Sequence, residues 1–192
     1  TIHWRAPGKE CPPTPREGEV VVFVDHLARG FKPPGSKFYR DVLADFQLHP
    51  QDTGPNSVTN MCHFQVLCEV FFQEDPTVEL FRDLFHLNRR TEFNDGSNTE
   101  LGGVAIQKRK EVTYPHAKLH SHPKEWNQTW FYCKDTSPAG ENPLPSFRLE
   151  RLSNTHPFPQ RLTAQERSKY APQLSKLRAF MANGLTGVDL AR

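Results

Sequence analysis

Asp52-Thr53-Gly54 is the tripeptide in which an aspartic protease holds a carboxylate, and that chemistry needs a second aspartate close enough to share a proton. Here Leu48-His49-Pro50-Gln51 leads in instead of an apolar strand, and Pro55 leads out, so the tripeptide reads as a turn before a helix. His116, His120 and His122 with Cys133 invite a zinc reading, but a structural zinc site draws four ligands from close-spaced pairs and Cys133 stands alone. Cys62, His63 and Cys68 fall on a helical pattern. At 100° per residue the two thiols point about 120° apart and cannot grip one ion. A Cys–His nucleophile is the other use of such a pair, and buried cysteines on an apolar helix are the better reading. Asp25, after the apolar run Val20–Val24, is where a magnesium-dependent nuclease or transposase places its first carboxylate. No second and third partner announces itself. No metal ligand, catalytic residue or cofactor is assigned on these patterns.

The remaining chemistry is cationic. Lys108-Arg109-Lys110 and Arg89-Arg90 form the best patch for phosphates, with Trp126 and Trp130 available to stack on bases. Nucleic acid is therefore a candidate partner through Arg89, Arg90, Lys108, Arg109 and Lys110. The competing reading is a charged strand edge that blocks unwanted pairing. Charge is distributed in the same sense: residues 36–100 carry a net −6 and residues 101–192 a net +7, although the whole 192-residue chain is only +2. Such a layout favours head-to-tail association.

These residues need elements to hold them. Val20–Val24 reads as a strand. Ser36 caps a helix bearing Phe38, Tyr39, Val42, Leu43 and Phe46, and a second helix runs from Pro55 to Phe72, apolar on almost every side and hence central. A third is capped by Asp75, with Pro76 in its first turn and a stripe of Val78, Phe81, Leu84, Phe85 and Asn88. Asn94-Asp95-Gly96 reads as a turn. Gly102–Lys108 and Thr129–Cys133 then read as strands, Trp130 and Tyr132 sharing a face, and both are expected to join residues 20–24 in one small sheet. Thr163–Glu166 matches a capping box opening a short C-terminal helix that Pro172 interrupts or restarts, its continuation carrying Leu174, Leu177 and Met181 on one stripe and stopping at Asn183-Gly184.

The expected fold is α+β: a mainly helical core, a small β-sheet and a C-terminal helical segment. Its divisions are an irregular lead-in (1–18), a globular domain (19–135), a proline-rich connector (136–162) and the helical segment (163–192). Eight of the 14 phenylalanines lie between Phe38 and Phe93, which places the core in the acidic stretch. No apolar run reaches the roughly 18 residues of a membrane span, so no membrane partner is expected. Four scattered cysteines fit a reduced, intracellular protein, nucleus and cytoplasm not being distinguished. The chain opens on Thr1 and ends in a helix-like pattern, as a fragment of a longer protein would.

Gly18 through Phe31, then Pro55-Asn56-Ser57, Phe64–Glu69, Pro76–Phe85, Lys124–Asn127, Trp130–Tyr132 and the Met181-x-Asn183-Gly184-Leu185 ending together resemble a plant gypsy-type transposon domain, a transposase-type domain by name. The resemblance runs over roughly residues 18–190. It implies a retrotransposon-derived protein that often continues into a long helical region, and it carries over no catalytic residue. The reading is thus a non-enzymatic structural or interaction module, able to self-associate through its C-terminal helical region, with the metal-dependent nuclease built on Asp25 as the alternative.

Overall fold

The structure, a computed structural model, describes residues 3–89, 104–115, 117, 119, 125–150, 152–153 and 155–191. The chain is α+β. Its strands are β1 (Trp4–Arg5), β2 (Glu19–Phe23), β3 (Phe85–Arg89), β4 (Val104–Lys108) and β5 (Trp130–Lys134). Its helices are α1 (Val24–Leu27), α2 (Lys37–Asp45), α3 (Pro55–Val66), α4 (Val78–Leu84), α5 (Ala164–Ser168) and α6 (Ala171–Ala182).

Side-chain caps set several helix starts. The Ser36 hydroxyl accepts from Tyr39 N at 3.1 Å and opens α2. Pro55 occupies the first turn of α3, which continues into a wider π-helical turn over Leu67–Phe72 and stops at Gln73, whose φ of 57° is left-handed. The expected third helix starts later than Asp75. Pro76 keeps the residue before it out of the helical region, so the cap passes to Thr77, whose hydroxyl accepts from Leu80 N. That helix also ends early. Phe85 turns extended, and Phe85 and Leu87 point into the core as alternate residues of β3, with Asn88 on the outer side.

The single expected sheet is two. β2 and β1 flank β5 in antiparallel register, with Val21 opposite Tyr132 and Trp4 opposite Cys133. β4 instead pairs antiparallel with β3, from Phe85 opposite Lys108 to Arg89 opposite Val104. The other edge of β4 is closed by α3. The Ile106 N–H donates to the Ser57 hydroxyl and the Ile106 carbonyl accepts from the Asn60 amide, both at 2.9 Å, while Thr53 bridges Val104. No edge remains there for β2 or β5 to use.

β2 is buried on both sides because successive side chains alternate. Val20 and Val22 join the main core, whereas Val21 and Phe23 join Trp126, Trp130 and Tyr132 in a second cluster. The main core is aromatic: Phe81 has Phe38, Phe46, Phe64 and Phe85 within 6.0 Å between ring centroids. Across residues 136–162 no helix or strand forms among the described residues, yet the segment is fastened to the helices. Buried Arg40 donates to the carbonyls of Gly35 and Asn142 and pairs with Glu141. Further along, Arg148 pairs with Asp52 at 2.8 Å, Gln51 donates to Arg148 O, and His156 reaches Phe46 O.

The C-terminal segment follows its local signals. Thr163 and Glu166 form the reciprocal capping box, Pro172 sits in the first turn of α6, and Gly184 (φ 95°) lies past its end. Leu174 and Leu177 are buried, and Phe180 packs on Phe71 and Phe72 of the widened turn. The apolar stripe of α6 is therefore spent within this chain. Among the described residues no helix is long and apolar enough to cross a membrane.

Candidate functional site

The β3–β4 ribbon carries four of the five cations singled out in the sequence; Arg90 lies outside the described residues. The ribbon separates them. Arg89 is opposite Val104, four residues from Lys108 along β4, or about 13 Å at the usual strand rise. Arg89 donates to His156 O and its guanidinium lies 4.7 Å from the Phe158 ring centroid. Lys108 donates to the carbonyls of Arg109 and Val112, and Arg109 donates twice to Arg82 O. Lys110 projects into solvent. Three of the four described cations are thus occupied by the fold, and Lys108, Arg109 and Lys110 are together at the end remote from Arg89.

At that end lies a cluster that sequence reasoning missed. Asp83, in the last turn of α4, is fully buried, with Arg161 Nε 2.9 Å and Arg167 Nε 2.8 Å from its two oxygens. Arg161 also reaches Glu111 at 2.9 Å, and Arg82 stands 3.9 Å from Asp45. Arg109 borders the group: burial lowers its pKa first, and the nearby Arg161 charge lowers it further. His86 is likewise held below the ordinary histidine value by burial and then by Arg109. One buried carboxylate thereby fastens α4, the end of the 136–162 segment and α5. The signal was present: Asp83 stands between Phe81 and Leu84 in the buried stripe of a helix, and a carboxylate there requires cationic partners.

The other candidates have structural places. The Asp52 carboxylate accepts from His49 N and Arg148 Nη2, both at 2.8 Å, inside the turn that precedes α3. Burial pushes the thiols of Cys62 and Cys133 up to about 11 and that of Cys68 to about 12, so all three stay protonated at neutral pH. Asp25 is half-buried in the first turn of α1. Among the described residues no three His, Cys, Asp or Glu side chains gather to hold a metal ion. His116, His120 and His122 lie outside the described residues.

Residues 20–89 match the family described as "Putative gypsy type transposon". The resemblance to a gypsy-type transposon domain holds over these residues. The matched segment runs from β2 through all of α1–α4 to the end of β3. It contains the aromatic core and Asp83, and it ends before β4, β5 and the arginines that Asp83 binds. No curated protein and no solved structure matches the chain significantly.

Proposed function

We propose that this chain is a non-catalytic interaction module of a gypsy-type transposon protein, with nucleic acid as a weak partner at the Lys108–Lys110 end of the ribbon. The observation that carries the reading is how the buried polar groups are used. Arg40, Asp52 and Asp83 each tie an irregular segment to the helices, and the buried His26 ring donates from Nε2 to Thr53 O. Groups spent on holding the fold are not poised for proton transfer or phosphoryl chemistry.

The electrostatics supports weak nucleic-acid contact. Each phosphate neutralised on duplex DNA adds about −0.9 to the slope of log affinity against log salt. With Lys110 free and Arg109 half-exposed, the expected slope is no steeper than about −2. Fluorescence-anisotropy titration of short DNA and RNA at several salt concentrations measures it. A slope of −5 or beyond would overturn the weak-partner reading. Incubation of the same oligonucleotides with magnesium or manganese addresses the alternative. Cleavage by the native chain that disappears in Asp25→Asn would replace the non-catalytic reading with a metal-dependent nuclease.

A further inference from the structure

α3 carries Thr59, Cys62, His63 and Val66 at offsets of three, four and seven residues, so the four share one face. That face looks onto the turn that follows α1. At Gly30, φ is 98°, and a Cβ there would stand 3.0 Å from Cys62 Sγ, so only glycine lets the turn come this close. Between turn and helix lies a groove of about 520 Å³, lined also by Arg29 and Lys32 and walled on one side by Leu190. A smaller hollow of about 270 Å³ adjoins it across Lys32, Cys62 and Val66. The larger volume is in the range of small-ligand sites.

Its polar groups are unspent. The Arg29 and Lys32 side chains make no ion pair or hydrogen bond with any described residue, and among the described residues no carboxylate lines the larger groove. His63 is 9% exposed, lines the groove and makes no hydrogen bond with any described residue. The ring nitrogens are not among the buried atoms that lack a partner, so they are open to the groove and a ligand atom entering it can meet them. Burial holds His63 below the ordinary histidine value, which leaves an uncharged ring with one N–H to give. Two cations from the turn and an N–H from the facing helix put three donors in the lining of one space. A tetrahedral phosphate presents an oxygen to each, whereas a planar carboxylate has two to offer. Val66 and Leu190 offer apolar surface to an organic body.

We propose that the groove between the Ala28–Lys32 turn and α3 binds the phosphate group of a small organic ligand. The source is either a free phosphate monoester or a nucleic-acid phosphodiester. The site stands whether or not the ribbon contacts nucleic acid.

The test is NMR titration of the 192-residue chain with adenosine monophosphate, a dinucleoside phosphodiester and benzoate, following the His63 ring resonances. His63→Gln assigns those resonances. Saturable shifts with adenosine monophosphate are expected and would mark the monoester as the source. Saturable shifts with the dinucleoside alone would mark the diester. The double variant Arg29→Gln, Lys32→Gln should weaken binding at least about tenfold, since each removes a charge-assisted contact. Both side chains reach solvent, so this variant folds even if His63→Gln does not. Lys37→Gln, an exposed cation paired with Asp41, should leave affinity unchanged. No saturable shift, equal affinity for benzoate, or unaltered affinity in the double variant would each overturn the proposal.

Discussion

Replacing Asp83 tests whether one carboxylate holds the C-terminal half to the helices. Its side chain is fully buried, while Arg161 and Arg167 are 31% and 40% exposed. Removing one member of a fully buried pair costs about 3–5 kcal/mol, and fully exposed pairs are worth only about 0.2–1 kcal/mol. Both arginines can regain water, which moves the expectation to the lower end: about 3 kcal/mol for Asp83→Ala. Asp83→Asn keeps the shape and one acceptor, so about 2 kcal/mol is expected. Urea unfolding followed by circular dichroism gives both values, with the slope m unchanged if the native contacts are otherwise kept. A double-mutant cycle with Arg161→Gln should return a coupling of about 1 kcal/mol or more. The loss should persist at about 1 M salt, where the Debye length is ~3 Å, because screening reaches buried pairs poorly. The reasoning is refuted if Asp83→Asn costs less than about 0.5 kcal/mol, the range of ordinary surface substitutions.

Other substitutions probe the remaining layers. Ser57→Ala should cost about 1–2 kcal/mol by leaving the Ile106 N–H unsatisfied, and hydrogen exchange should show protection lost first at that amide. Phe81→Ala empties the centre of the aromatic cluster and should cost about 4 kcal/mol in urea unfolding, whereas Val70→Ala on the 62% exposed side chain should stay within about 0.5 kcal/mol. Glu19 is bound by Arg5 through both oxygens and by Arg16 N, which lowers its pKa from 4.5 to about 2. A depressed carboxylate stabilises the fold above pH 4.5, and that contribution fades as pH falls toward 2. The stability difference between the native chain and Glu19→Gln should therefore shrink over that window in acid titration; a difference independent of pH would sink the assignment.

Local signals were legible where one residue type performs one task. Ser36, Pro55, the Thr163–Glu166 box and Gly184 each mark a boundary through the chain's own backbone, and each is found where its chemistry places it. Phe85 misled because two periods overlap. Val78, Phe81, Leu84 and Phe85 fit a helix, while Phe85-His86-Leu87-Asn88 fits an alternating strand, and pairing with β4 decides for the second. The split into two sheets was not legible, since it depends on Ser57 and Asn60 meeting Ile106 some 46 to 49 positions away. The basic patch misled for a related reason: adjacent letters supply charge, but Arg109 and Lys108 turn back onto nearby carbonyls. The α3 groove was likewise hidden, because Arg29 and His63 belong to segments that only the fold brings face to face.

The boundaries of the matched segment have a consequence for how this protein is dissected. Cut out at residues 20 and 89, β2 and β3 would both lose the strands they pair with, and Arg40, Asp52 and Asp83 would lose their counter-ions together. Such an excerpt would present two raw ladders and three orphaned charges to solvent, and it should collapse or aggregate rather than fold. The stretch that carries the family likeness is thus smaller than the network of pairings that holds it.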